Sequence, residues 1–220
     1  MIRPGDEWGT PTTAQADVRV RGDDRALAAV VVVGPTTPLI RFEPVGSELA
    51  RAVGLAEAPP DTGPPLRGIE LPIDAIETSE GVAVNAAVFG IAPGRLRSYH
   101  RRRPITVAID GNTRFTGPAT TVVVANGQFL DGADVVPRGH PGDGRLEIQV
   151  YALTPGERGA MRRRLPGGTH VPHPHITAVT GQSVKITADH PWSVVVDGHV
   201  AQRTSQFRAT VIPSAFRLLT

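Results

Sequence analysis

The stretch Asn126–Glu147, NGQFLDGADVVPRGHPGDGRLE, decides how this chain is read. It follows one apolar run, Val122-Val123-Val124-Ala125, and hands on to another, Leu146–Tyr151. Runs this short and this rich in β-branched residues read as strands. Between them lie two Gly-containing turns, a proline and the pair Asp143-Gly144, all residues that end regular structure and turn the chain. Farther on, Asp197-Gly198-His199 separates two more apolar runs in the same way.

Outward from that stretch the pattern is one of short strands. Downstream they are expected over Leu146–Leu153, Thr177–Val179, Ser183–Ala188, Trp192–Val196, Phe207–Ile212 and Phe216–Leu219. Upstream they are expected over Gly68–Asp74, Val82–Phe89, Ile105–Asp110, Thr113–Thr116 and Thr121–Ala125. Ile105–Ala125 reads as a hairpin turning at Asp110-Gly111-Asn112. Only Pro155–Leu165 breaks the series with helical character. Before Gly54 the pattern differs. Ala16–Val20 alternates as a strand, and Asp23 or Asp24 is placed to cap an apolar helix over Ala26–Val32. Leu39–Phe42 reads as a short strand. Ser47 caps a helix Glu48–Val53 that stops at Gly54. Residues 1–15 read as a loose arm, and Ala58–Pro65, with four prolines, as a linker or exposed loop. The fold class expected is α+β, mainly β: a β-sandwich-like C-terminal domain with a reduced α/β N-terminal lobe. The lobe takes residues 1–66, the β-rich domain 67–206, and 207–220 are terminal strands expected to return to the first lobe.

Composition agrees with such a fold. The 220 residues include 24 Gly and 21 Pro, which helix interiors and central strands reject. Aromatics make up 5%, so the core rests on Val, Ala, Leu and Ile. The formal charge is +2, with Lys185 the sole lysine. No Cys is present, which excludes disulfides, thiol chemistry and Cys-based zinc. No apolar run approaches the ~20 residues of a membrane helix. The N-terminus, with Asp6 and Glu7, lacks the apolar stretch of a signal peptide. The chain is expected to be cytoplasmic or peripheral to a membrane.

The order Asn-Gly, Gly-rich turn, Pro, Asp-Gly-x-Leu resembles the C-terminal β-domain of the diacylglycerol kinase and sphingosine kinase superfamily. That family carries a later Asp-Gly-Glu whose Glu is its proposed base. Here Asp197 and Gly198 are kept and His199 stands at the Glu position. Asn85 matches a family Asn in Val82–Phe89, and Asn126-Gly127 keeps the family turn. Asp143 matches an aspartate that, with main-chain oxygens of His140 and Arg145 by position, would hold a structural Mg²⁺. The family's nucleotide lobe reads strand, Gly-Gly-Asp-Gly-Thr, helix. Here Arg21-Gly22-Asp23-Asp24-Arg25 keeps Gly22 and Asp23, puts a carboxylate where phosphate approaches, and replaces a small hydroxyl residue by Arg25. Pro44-Val45-Gly46-Ser47-Glu48-Leu49-Ala50-Arg51-Ala52-Val53-Gly54 keeps both ends of the second family motif and loses its central Gly-Asn. The resemblance covers nearly the whole chain. It is strong after Val82 and weak before Gly54, and the family's opening strand and helices have no counterpart.

The resemblance implies ATP and Mg²⁺ as cofactors. The altered loop and the exchange of an anionic Glu for His199 argue against ATP and against kinase chemistry. The expectation is a degenerate, shortened relative, catalytically inactive, that binds a lipid or amphipathic ligand or serves as a regulatory partner. Two alternatives stay open: an active lipid kinase with an altered site, completed by dimerisation or a separate partner protein, and a structural module without ligand. Arg101, Arg102 and Arg103, with Arg162, Arg163 and Arg164, would contact a ligand or a membrane. Nucleic acid is not expected, because the Arg clusters are not interleaved with aromatics. His170, His173 and His175 read as a polar loop rather than a metal site.

Overall fold

The computed structural model describes residues 8–31, 36–56 and 68–220. The start of the expected arm, the Val32 end of the first helix and the Ala58–Pro65 linker lie outside the described residues. In chain order the elements are β1 (Thr10–Thr12), β2 (Val18–Gly22), α1 (Asp24–Ala28), β3 (Leu39–Pro44), α2 (Glu48–Ala52) and β4 (Gly68–Thr78). Then come β5 (Gly81–Ala83), β6 (Ala86–Gly90), β7 (Arg103–Ile109), β8 (Asn112–Ala119), β9 (Thr121–Ala125), β10 (Phe129–Leu130) and β11 (Ala133–Asp134). The chain closes with β12 (Leu146–Tyr151), α3 (Glu157–Arg164), β13 (Ile176–Gly181), β14 (Ser183–Val196) and β15 (His199–Leu219).

The fold is mainly β, as its punctuation predicts. All strands except the small β10–β11 pair belong to one hydrogen-bonded network, with a spine ordered β1-β4-β15-β14-β6-β9-β12-β13. β9 is buried at every residue. Its alternating side chains explain why. Val122 and Val124 face one core with Phe89, Ile148 and Phe207. Val123 and Ala125 face another with Leu130, Val136 and Met161 of α3. A strand covered on both faces loses alternation and reads as a continuous apolar run.

Two strands prove longer than the sequence pattern suggests. Ser183–Val196 is one strand, irregular between Thr187 and Trp192 where it pairs with β15. His199–Leu219 is likewise one strand, interrupted between Ile212 and Phe216. There Ser214 takes a positive φ and donates its N–H to Asp74 at 2.8 Å. Beyond this kink Arg217–Leu219 pair in parallel with Leu39–Arg41 of β3, while β4 follows β15 on both sides of it. β4 and β15 therefore belong both to the sandwich and to a third core of Leu27, Ile40, Phe42, Leu49, Ile73 and Phe216, covered by α1 and α2.

In the opposite sense, the expected strand Val82–Phe89 is split into β5 and β6. The interruption at Val84-Asn85 has a cause: a distant carboxylate takes those N–H groups, as described next.

Candidate functional site

Asp197 and Gly198 form the turn between β14 and β15, both with positive φ. The turn folds the Asp197 side chain inward, where it is 8% exposed. One carboxylate oxygen accepts the Val84 N–H at 2.8 Å; the other accepts Asn85 at 3.1 Å and Ala86 at 2.9 Å. Asp197 N–H in turn donates to Ala86 O at 2.9 Å. Burial is the largest influence and pushes its carboxyl up to about 7, aided by the negative charge of Asp24 and opposed by the three N–H bonds.

Asn85, thus fixed, anchors the turn that opens the diagnostic stretch. Its main-chain oxygen accepts Asn126 N–H at 2.8 Å and Gly127 N–H at 3.2 Å, and its side chain donates to Phe129 O at 3.0 Å. Residue 127 must be glycine, because a Cβ there would collide with Asn85 Oδ1. Asn126 completes the knot by donating to Asp74 O at 2.8 Å and Val84 O at 2.9 Å.

The short lobe reaches this knot through two loops. After β2, Gly22 turns the chain and Asp23 caps α1 by accepting Ala26 N–H at 3.0 Å. The next carboxylate, Asp24, leaves its own helix and sits under the N-terminus of α2. It receives the Ser47 hydroxyl and the N–H groups of Glu48 and Leu49, each at 3.2 Å. Burial, chiefly, raises its pKa. Ser47 accepts Ala50 N–H at 2.9 Å and so caps α2. The donors that a phosphate would use at this helix start are therefore engaged by an internal anion. As they stand, these residues do not fit a nucleotide phosphate.

Beside Gly46 and Ser47 lies a cavity of about 320 Å³, lined also by Gly132. Glu48 accepts Gly132 N–H, Arg51 donates to Gly132 O at 3.0 Å, and the Arg51 guanidinium lies 4.0 Å from the Phe129 ring. His199 stays exposed at the edge of its turn, with Nδ1 3.0 Å from Asp197 O. Asp197 and Asp24 are thus brought together electrostatically, whereas His199 points its ring nitrogen at its own turn.

Asp143 lies elsewhere, beside Asp74, His140 and Glu147. Its Oδ1 accepts Arg145 N–H at 3.0 Å, and Gly142 N–H donates to His140 Nδ1 at 3.2 Å. Asp74 is committed to Gly144 N–H at 2.6 Å and Ser214 N–H at 2.8 Å. Burial raises the pKa values of Asp74 and Asp143 and pushes Glu147 up to about 7, and Asp143 adds repulsion to both neighbours. Among the described residues no three His, Asp or Glu side chains converge as metal ligands. A cation at Asp143 would therefore depend on main-chain oxygens of His140 and Arg145.

The arginines differ in exposure. Arg101, Arg102 and Arg103 are exposed at the entry to β7, and Arg163 and Arg164 are exposed at the end of α3, with Arg162 partly covered. Arg158 of the same helix is 1% exposed and donates to the carbonyls of Arg97 at 2.7 Å, Ser98 at 3.1 Å, His100 at 2.6 Å and Leu153 at 3.3 Å. It clamps the loop before β7. His170 is buried against Tyr151, whereas His175 pairs with Glu157 at 2.8 Å. That partner lies 18 residues upstream, too far for the sequence to connect the two.

A family model described as YegS C-terminal NAD kinase beta sandwich-like domain matches residues 75–220. Among solved structures, a diacylglycerol kinase from Bacillus anthracis str. Sterne superposes with a TM-score of 0.68 at 18% identity, over 92% of this chain and 75% of its own. Another structure from that organism gives a TM-score of 0.73 at 17% identity, covering 92% and 77%. Yeast NADH kinase complexed with NADH gives 0.50 at 12% identity, covering 94% and 62%. At these identities the structures establish a shared fold. No curated protein sequence matches the chain.

Proposed function

The chain belongs to the family of YegS C-terminal NAD kinase beta sandwich-like domains, and from that premise we propose that it is a lipid-kinase-like protein that does not transfer phosphate. Its role is to bind a lipid or another amphipathic ligand, or to regulate a partner through that binding. The observation that carries this reading is the position of Asp24. Its carboxylate occupies the N–H groups of Glu48 and Leu49 together with the Ser47 hydroxyl, leaving a phosphate to face an anion. His199 supports the same reading, since an exposed imidazole stands where the family carries a carboxylate. The cavity of about 320 Å³ beside α2 is at the small end of ligand pockets, and the Glu48–Gly132–Arg51 contacts already bridge it. Mg²⁺ in this reading would be structural, at Asp143 with main-chain oxygens of His140 and Arg145.

Calorimetry with Mg-ATP and Mg-ADP, run beside a phosphotransfer assay on diacylglycerol micelles, tests the reading. Absence of binding at millimolar nucleotide, with no labelled lipid, is expected. Micromolar Mg-dependent binding with turnover would overturn it. Asp24→Asn is a better control than a substitution of Gly22, whose Cβ would strike Ala26 and disturb α1 itself.

One observation favours the second reading, an active lipid kinase. Burial pushes the Asp197 carboxyl up to about 7, in the range of a general base, although its oxygens are engaged by Val84, Asn85 and Ala86 and would have to be released to act as one. Phosphate transfer to diacylglycerol by the parent protein would support it, with a pH–rate profile whose basic limb rises near 7. That limb should be lost in an Asp197→Asn variant shown by circular dichroism to be folded.

A further inference from the structure

At the Gly90 end of β6, away from the Asp197 turn, two adjoining cavities of about 440 and 610 Å³ share Arg101, Arg103, Pro191 and Arg203 in their walls. They form one open trough. We propose that this trough binds the phosphate of anionic phospholipid headgroups and seats the protein on a lipid surface. The site is separate from the α2 cavity and does not depend on whether phosphate is transferred.

The charge comes first. Arg101, Arg103 and Arg203 converge from the β7 entry and from β15, joined by Arg102, His100 and His190. The one carboxylate of the lining, Asp189, lies 3.8 Å from His190. Among the described residues Arg102 and Arg203 donate to main-chain oxygens, of Ala152 at 3.1 Å and Pro191 at 3.2 Å. Arg101 and Arg103 have no carboxylate partner among the described residues. Guanidiniums that line one cavity without a carboxylate partner of their own offer a phosphate paired N–H bonds.

Pre-organisation comes next. The loop carrying His100 and Arg101 is fixed from below by the buried Arg158, which accounts for three of its main-chain carbonyls. Opposite, the pairing of β14 with β15 is irregular between Thr187 and Trp192, and Arg203 donates to Pro191 O of that segment at 3.2 Å. The main chain that carries Arg101 is thus set by the core, whereas the exposed side chains of Arg101, Arg103 and Arg203 are ordered on binding.

The remaining wall selects an amphiphile over a bare ion. Trp192 stacks on Phe89 with ring centroids 5.1 Å apart, and its buried Nε1 has no partner among the described residues. Ile91 and Gly90 continue the apolar side. At the rim Tyr99 is 76% exposed and leans edge-on to His100. An exposed Tyr beside clustered Arg suits the headgroup layer, where an apolar ring meets a polar boundary.

Co-sedimentation of the full chain with vesicles of phosphatidylcholine alone, or mixed with phosphatidylglycerol, tests the proposal. Binding only to the mixed vesicles is expected, falling about a hundredfold in Arg101→Gln/Arg103→Gln/Arg203→Gln. The triple change Arg162→Gln/Arg163→Gln/Arg164→Gln removes the same charge from α3 and should leave binding intact; circular dichroism confirms that both variants fold. Equal loss in the two variants would make the attraction diffuse and overturn the site. So would indifference to phosphatidylglycerol. Saturable binding of inorganic phosphate without vesicle binding would overturn the lipid assignment, as would tighter binding of a single-stranded oligonucleotide than of vesicles.

Discussion

Asp197 and Asn85, 112 residues apart in the chain, meet where the Asp197 carboxylate accepts the Asn85 N–H at 3.1 Å. With the N–H groups of Val84 and Ala86 on the same side chain, this contact ends one strand and starts the next. Asp197→Asn supplies one acceptor oxygen where two are in use and turns an amide donor toward a buried N–H. Stability should fall by about 2–3 kcal/mol in urea unfolding. A loss under half of that would mean that the three N–H groups are satisfied in another way.

Glu147 is pushed up to about 7 from an ordinary 4.5, by burial first and by Asp143 second. A raised folded pKa means that the unfolded chain ionises first as pH rises. The Glu147 contribution is therefore complete below about 4.5 and is lost between there and about 7. Melting temperatures of the protein and of Glu147→Gln should diverge in favour of the variant across that window. Asp143→Asn should lower the Glu147 pKa, read by carboxyl NMR titration. A gap that stays constant with pH would refute the coupling.

Arg158→Met keeps the volume and removes every donor to Arg97, Ser98, His100 and Leu153. Four main-chain carbonyls lose a charged partner, so the cost should be about 3 kcal/mol or more. Trypsin should then cut in the Arg-rich segment before β7 sooner than anywhere else. Unchanged stability would show that the loop holds itself.

Asp24→Ala frees the start of α2 and should cost about 1–2 kcal/mol by thermal unfolding. Asp24→Asn should cost less, because its amide oxygen can still accept one N–H. If the carboxylate is what keeps phosphate away, either variant should bind Mg-ATP more tightly than the parent. Equal, negligible affinity in all three would place the obstruction elsewhere, with the Glu48–Gly132–Arg51 bridge the next to remove.

Much of the architecture was legible because it is written locally. The β9 run, the Asp143-Gly144 turn and the Ser47 cap each depend on neighbours within a few residues, where propensity and turn chemistry dominate. Strand continuity was not legible. Ser183–Val196 and His199–Leu219 each contain Pro and polar residues that read as breaks, yet pairing with β15 and β4 resumes on the far side of each interruption and keeps one strand. Asp74 carries one usable signal, a carboxylate in the apolar centre of a strand, between Ile73 and Ala75, which needs buried partners to be tolerated.

The sequence by itself determined the class of fold, the turn residues, the caps and the family resemblance, since each is encoded in spacing and residue type. Only the tertiary structure decided what the acidic and basic side chains do. Asp24 could be read as an obstacle to phosphate, but that it holds α2 required β2 and β3 to pair. Nothing in the spacing of Arg158 sets it apart from Arg162, Arg163 and Arg164, yet packing buries it under a loop sixty residues upstream. Arg203, from a distant strand, lines the same cavities as Arg101 and Arg103. Charges act through space with a reach of several ångströms, and the chain alone does not say which distant residues that space will contain.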